Sequence, residues 1–194
     1  MYKAMIDKDT YISILEPRHA EELYHVIDAN RENIGEWLSF PMKTNNVEDS
    51  KIFIEKSLKR LSENNGYWAG IWHENSIAGS IGYLFMDWSA RKTEIGYWLG
   101  KDYVGKGLAT LACKQLIDHS FNDLRLRKVE INVATKNCKS KAIPERLGFM
   151  QEGIIRNYEY LNGEYHDRVI YGLLKEDWEQ ENINNLGENE TWTK

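Results

Sequence analysis

The stretch Val104-Gly-Lys-Gly-Leu-Ala109 decides how the rest of the chain is read. Before it, Thr93-Glu-Ile-Gly-Tyr-Trp-Leu99 has the β-branched and aromatic composition of a strand. After it, Leu108 to Phe121 repeats apolar residues at 108, 111, 112, 116 and 117, which is helical spacing. Strand, glycine loop and helix are thus contiguous. The helix start offers free backbone N–H groups and the positive end of its dipole. Gly105 and Gly107 let a phosphate approach without meeting a Cβ, so the loop predicts an anion cradle. Taken alone, the pattern also fits an ordinary strand-to-helix turn. No lysine followed by serine or threonine comes after the last glycine, and no G-x-G-x-x-G enters the helix, so neither a nucleotide P-loop nor a dinucleotide site is predicted.

Towards the N-terminus, Tyr11 to Leu15 reads as a strand, and Glu16-Pro17 opens a helix with apolar positions at Ala20, Leu23, Tyr24 and Ile27. A second short helix through Ile34, Trp37 and Leu38 ends before Pro41. Asn46, followed by Glu48 and Asp49, caps a third whose buried stripe is Ile54, Leu58 and Leu61. Tyr67 to Trp72 and Ile77 to Met86 form a hairpin about His73-Glu-Asn-Ser76. Towards the C-terminus come a strand at Val129 to Val133 and a helix from Ser140 to Leu147 stopped by Gly148. A last hairpin, Ile154 to Leu161 with Glu164 to Leu174, turns at Asn162-Gly163. One domain over residues 1–180 is expected, with 181–194 a polar, frayed tail.

The 194 residues, 42% of them hydrophobic, suffice for one sizeable core. A net charge of -5 argues against a general nucleic-acid binder and suits a cationic substrate. No apolar run approaches the roughly 20 residues of a membrane helix, and the N-terminus lacks the apolar core of a signal peptide, so a cytoplasmic protein without membrane contact is expected. Cys113 and Cys138 have no second ligand at metal spacing, which predicts free thiols and no metal.

The loop, the strand Glu94-Ile-Gly-Tyr-Trp-Leu99 and the segment Asn137-Cys-Lys-Ser-Lys-Ala-Ile-Pro-Glu-Arg-Leu-Gly-Phe149 resemble, in this order, the acetyl-CoA core of the Gcn5-related N-acetyltransferases. Glu152-Gly153, Glu159-Tyr-Leu-Asn-Gly163, His166-Asp167 and Tyr171-x-Leu-Leu resemble the branch of that family that acetylates the N-termini of ribosomal proteins. The resemblance implies a mixed α/β fold. Its mostly antiparallel twisted sheet has about seven strands, with a splayed parallel pair at the acetyl-CoA site and about four flanking helices. It implies acetyl-CoA as co-substrate, its pantetheine beside Trp98-Leu99, the Leu99 N–H on the thioester oxygen, and its pyrophosphate on Val104, Gly105, Lys106, Gly107, Leu108, Ala109 and Thr110. Val104 stands where the family usually has Gln or Arg, so the backbone must supply that contact. Lys106 either adds charge near the phosphates or is a solvated lysine.

Asn137 matches the family's pantetheine-holding Asn, or simply caps the following helix. The family's usual proton-donating tyrosine is replaced by Pro144, and the resemblance passes that role to Ser140, as a partner of the leaving thiolate. It assigns the base to Glu159, with Glu94 in reserve. Hairpin geometry puts Glu159 opposite His166, which either tunes it or merely pairs with it at the surface. Cys138 as a covalent acetyl carrier lacks an activating group. Trp37 falls where the family builds its acceptor wall.

Acetyl transfer needs a deprotonated amine, and an α-amino group (pKa about 8) needs only a mild base, whereas a lysine (about 10.4) needs much more. That suits the acceptor which the resemblance implies, a protein N-terminus, Ser or Ala, of ribosomal type. The alternatives are a small-molecule amine such as a polyamine or aminoglycoside, which calls for a ring of carboxylates, and a non-catalytic acyl-CoA-binding module. The sequence leaves open whether edge strands pair into the homodimer common among relatives.

Overall fold

The computed structural model describes residues 3–180. One sheet holds β1 (Lys3–Met5), β2 (Thr10–Ile14), β3 (Tyr67–His73), β4 (Ser76–Asp87), β5 (Lys92–Leu99), β6 (Lys128–Ala134), β7 (Met150–Leu161) and β8 (Glu164–Leu174). Their spatial order is β1-β2-β3-β4-β5-β6-β8-β7. All neighbours are antiparallel except β5 and β6. The mixed α/β reading holds, with β1 as a strand beyond the expected seven. Its three residues, paired only to β2, are too few to show a period.

The helices are α1 (Ala20–Ala29), α2 (Arg31–Gly35), α3 (Val47–Ser62), α4 (Leu108–Asp118) and α5 (Cys138–Arg146), and residues 175–180 are also helical. Among the described residues no helix is long and apolar enough to cross a membrane. Strand alternation sends successive side chains to opposite faces. On one face Ile71, Ile81, Ile95, Ile131 and Val169 pack on Ala112, Leu116 and Ile117 of α4. On the other, Trp72, Ile77 and Trp98 pack on Leu23, Ile27, Ile34 and Ile54 of α1 to α3.

Several boundaries differ from the sequence reading for local reasons. Pro17 opens a single 3-10 turn before α1, because the His19 ring accepts the Glu16 N–H at 3.0 Å and closes that turn. The second helix ends at Gly35 rather than beyond Leu38, and Pro41 lies within a 3-10 turn, Phe40–Lys43. The helix after the glycine loop is α-helical to Asp118 and then widens into a π-turn, His119–Asp123, that buries Phe121. Leu61 is exposed. Ser57 takes its place in the α3 stripe, its hydroxyl accepting the Trp68 N–H at 2.7 Å. The segment 181–194 lies outside the described residues.

Asn46 caps α3 through Oδ1, which accepts the Asp49 N–H at 3.1 Å. Asn46→Ala should remove about 1 kcal/mol of stability, a fall in Tm of about 2–4 °C, read by thermal unfolding, with coenzyme A affinity unchanged.

Candidate active site

The parallel pair is short. β5 and β6 are in register from Lys92 and Lys128 to Glu94 and Glu130, and beyond that they part. β5 continues to Leu99, held on its other side by β4 as far as the Gly79–Leu99 pair. The Gly100 N–H bonds to the Ala78 carbonyl on β4. By alternation, the Tyr97 and Leu99 N–H groups then point away from β4, into the fork. The fork opens a cleft of about 1320 Å³ between the N-terminus of α4, α5, and the segments α2 and Phe40–Lys43.

The glycine loop closes one end. Gly105 and Gly107 have φ of 84° and 78°, which other residues adopt only under strain, and a Cβ on either would meet nothing within 4 Å. The space beside them is open. Gly107 starts α4 without any side-chain cap, and no acidic residue stands in the first turn. The first N–H groups of α4 therefore remain available to an anion. Val104, Gly105, Gly107, Leu108, Ala109 and Thr110 all line the cleft. Lys106 does not, and its ammonium lies 5.3 Å from the centroid of the Tyr103 ring. Arg146 of α5, a cleft residue, brings a further cation near the cradle, its Nη1 donating to Thr110 Oγ1 at 2.8 Å.

Trp98, Leu99, Asn137 and Ser140 also line the cleft. Asn137 Oδ1 accepts the Ser140 N–H at 3.1 Å, so this side chain caps α5 while lining the site. Ser140 Oγ donates to the Tyr97 hydroxyl at 3.2 Å, and that hydroxyl donates to the Ser140 carbonyl at 2.9 Å. Burial raises the Tyr97 pKa well above the usual phenol value, so Tyr97 stays protonated. Cys138 is exposed at the cleft edge, while burial holds the Cys113 thiol protonated within the core.

Glu94 lies where the strands begin to part. It lines the cleft, is 8% exposed, and has its pKa raised by burial against the opposing pull of the Arg168 charge and an Asn132 hydrogen bond. Its register partner Glu130 is paired with Lys92 at 3.2 Å and Lys128 at 3.0 Å, while Glu94 faces Arg168. Asn132 Oδ1, also on the cleft, is buried without a hydrogen-bond partner.

Glu159 is outside the cleft lining. The hairpin register does set Glu159 against His166, as the Asn162-Gly163 turn required. The carboxylate, however, goes to Arg168, accepting from Nε at 3.1 Å and Nη2 at 2.9 Å across an irregularity in β7 where Asn157 has φ 49°. His166 turns its Nε2 to the Leu161 carbonyl at 3.2 Å and its ring edge to Trp37, 6.1 Å between centroids. Asn162 Nδ2 donates to the Gly35 carbonyl at 2.9 Å, tying the hairpin tip to α2. On the acceptor side the loop Phe40–Lys43 is held by the Arg31 guanidinium, which donates to the Pro41 and Thr44 carbonyls.

The sequence reading missed Tyr97, Asn132, Arg146 and Arg168. Tyr97 sits in a strand already quoted, but its partner Ser140 is 43 positions away. Arg146 and Thr110 are 36 apart, so no local pattern marks either contact.

Comparison with known proteins identifies the family. The acetyltransferase (GNAT) domain family matches residues 11–150. YdaF of Bacillus subtilis, named as a ribosomal N-acetyltransferase, is 39% identical over 182 residues, which are 93% of this chain and 100% of YdaF. The ribosomal-protein-serine acetyltransferase of Escherichia coli is 27% identical over 156 residues, 80% of this chain and 87% of its own. Among solved structures, the microcin C7 self-immunity acetyltransferase MccE, determined with acetyl-CoA and AMP, aligns with a TM-score of 0.83 at 31% identity. It covers 87% of this chain and 94% of its own.

Gly107→Ala should weaken coenzyme A binding about tenfold by titration calorimetry, the consequence of roughly 1–2 kcal/mol of left-handed strain at the cradle. An unchanged Kd would remove Gly107 from the cradle.

Proposed function

Because the chain belongs to the GNAT acetyltransferases and is an acetyl-CoA-dependent N-acetyltransferase, we propose that it acetylates the α-amino terminus of a ribosomal-type protein with Glu94 as the base. Acetyl-CoA supplies the activated acetyl thioester. The residues suited to hold it are the uncapped α4 N-terminus with Arg146 at the phosphates, the open β5 edge at Tyr97 and Leu99, and Asn137.

Glu94 carries the reading. It is a carboxylate on the cleft wall whose burial raises its pKa towards that of the incoming ammonium, which makes it a better proton acceptor than an ordinary surface glutamate. Glu159, expected from the resemblance, already accepts two hydrogen bonds from Arg168. That carboxylate is thereby engaged, and it stands outside the cleft lining. We therefore give Glu159 the task of holding Arg168 beside Glu94. The Leu99 N–H suits the thioester oxygen as negative charge builds there. Ser140 Oγ, free to turn from Tyr97 towards the sulfur, stabilises the leaving thiolate by a hydrogen bond.

The α-amino acceptor is supported by the modest base it requires and by the likeness to YdaF and the ribosomal-protein-serine enzyme. A polycation would call for a ring of carboxylates. The cleft lining includes two, Glu36 and Glu94, together with Arg168.

CoA release on peptides with Ser or Ala termini, polyamines and aminoglycosides tests the acceptor. Glu94→Gln should lower kcat by about 10²–10⁴ with coenzyme A affinity retained, and Glu159→Gln by far less. The reverse order returns the base to Glu159. The wild-type rate should rise with pH through a pKa above the ordinary glutamate value of about 4.3. The sign for stability is opposite. A carboxyl whose folded pKa is raised favours folding when protonated, and that contribution is lost as pH rises through the folded pKa. Glu94→Gln should therefore unfold at an equal or higher Tm than wild type at neutral pH.

A further inference from the structure

The half of the cleft remote from the glycine loop holds an unpaired hydroxyl. Ser50, at the start of α3, is 1% exposed, and its Oγ has no hydrogen-bond partner, although the residue lines the cleft. Helical serines commonly bond the carbonyl four residues back, and buried polar groups are nearly always paired, so this covered hydroxyl lacks the partner that its burial calls for. Its surroundings are apolar. Phe40 lies against Trp98, 5.6 Å between ring centroids, and Phe53 against Trp68 at 6.2 Å, with Ile34 and Leu38 completing the wall. Arg31 fixes the Phe40 loop through two backbone carbonyls, so this wall is in place before any ligand arrives.

We propose that this pocket takes an aromatic-sized side chain carried on one of the acceptor's first two residues, and that a polar atom at the tip of that side chain hydrogen-bonds Ser50 Oγ. The inference rests on the reading that a peptide amine reaches Glu94, and it adds the chemistry next to that amine. A phenol ring satisfies both halves of the pocket, with its faces against Phe53, Trp68 and Trp98 and its hydroxyl on Ser50. A serine or alanine at both positions would leave the wall bare and the hydroxyl unpaired.

The test compares kcat/KM by CoA release for two tetrapeptide series, X-Ala-Ala-Ala and Ser-X-Ala-Ala, with X as Ala, Leu, Phe or Tyr, alongside spermidine. Filling an apolar pocket changes selectivity by roughly 10–200-fold. Phe should therefore exceed Ala at least tenfold in one series, and Tyr should exceed Phe there. Ser50→Ala should abolish the Tyr-over-Phe ratio and Phe53→Leu should reduce the Phe-over-Ala ratio. Because the Ser50 hydroxyl has no partner to lose, Ser50→Ala keeps the fold, which its Tm verifies. Equal rates for Ala and Phe in both series, a Tyr-over-Phe ratio unchanged in Ser50→Ala, or spermidine as the preferred acceptor would each overturn the inference. Peptide acetylation without dependence on X sinks this inference alone. Coenzyme A binding with no peptide acetylated at all sinks the peptide reading as well.

Discussion

The early parting of β5 and β6 is the constraint on which everything else in the molecule rests. A parallel pair that continued to Leu99 would satisfy the Tyr97 and Leu99 N–H groups within the sheet and leave no room for a ligand. Because the ladder stops at Glu94 and Glu130, β5 keeps one edge bonded to β4 and offers the other to the cleft. The same divergence exposes Glu94 and Asn132 at the root of the fork and lets α4 aim its N-terminus across the opening.

A three-residue parallel ladder contributes little by itself, and the chain reinforces its root with charge. Glu130 is buried, and two lysines, Lys92 from β5 and Lys128 from β6, meet it, with Lys128 also reaching Glu152 of β7 at 2.6 Å. Three strands are tied at the closed end while the other end stays open. Breaking one partner of such a pair leaves an uncompensated charge out of water, so the cluster holds the strands in position more than it adds net stability. The two carboxylates facing each other across the fork are thereby differentiated. Glu130 is paired with two lysines, while Glu94, whose burial raises its pKa, lines the cleft. Arg168, shared between Glu94's surroundings and Glu159, is the residue through which the terminal hairpin reaches the cleft and influences that group.

The acceptor side is built by contacts between distant segments. The Asn162 bond to the Gly35 carbonyl and the edge contact of His166 on Trp37 join the last hairpin to the second helix, and Arg31 holds the intervening loop. The glycine loop and the cofactor edge, in contrast, come from one stretch of chain.

The sequence alone determined whatever depends on near neighbours. The strand, loop and helix from Thr93 to Phe121 were legible from period and glycines, the Asn46 and Asn137 caps from residue type, and the Glu159–His166 register from the two-residue turn. Resemblance fixed the donor from several motifs in order. Tertiary structure decided where side chains point once backbones meet. It turned Glu159 to Arg168 rather than His166, set Lys106 near the Tyr103 ring, and joined Arg146 to Thr110. It also brought Glu94 to the cleft wall and left Ser50 without a partner. These outcomes depend on burial and on partners tens of residues away, and a pattern of period two or 3.6 carries no information about either.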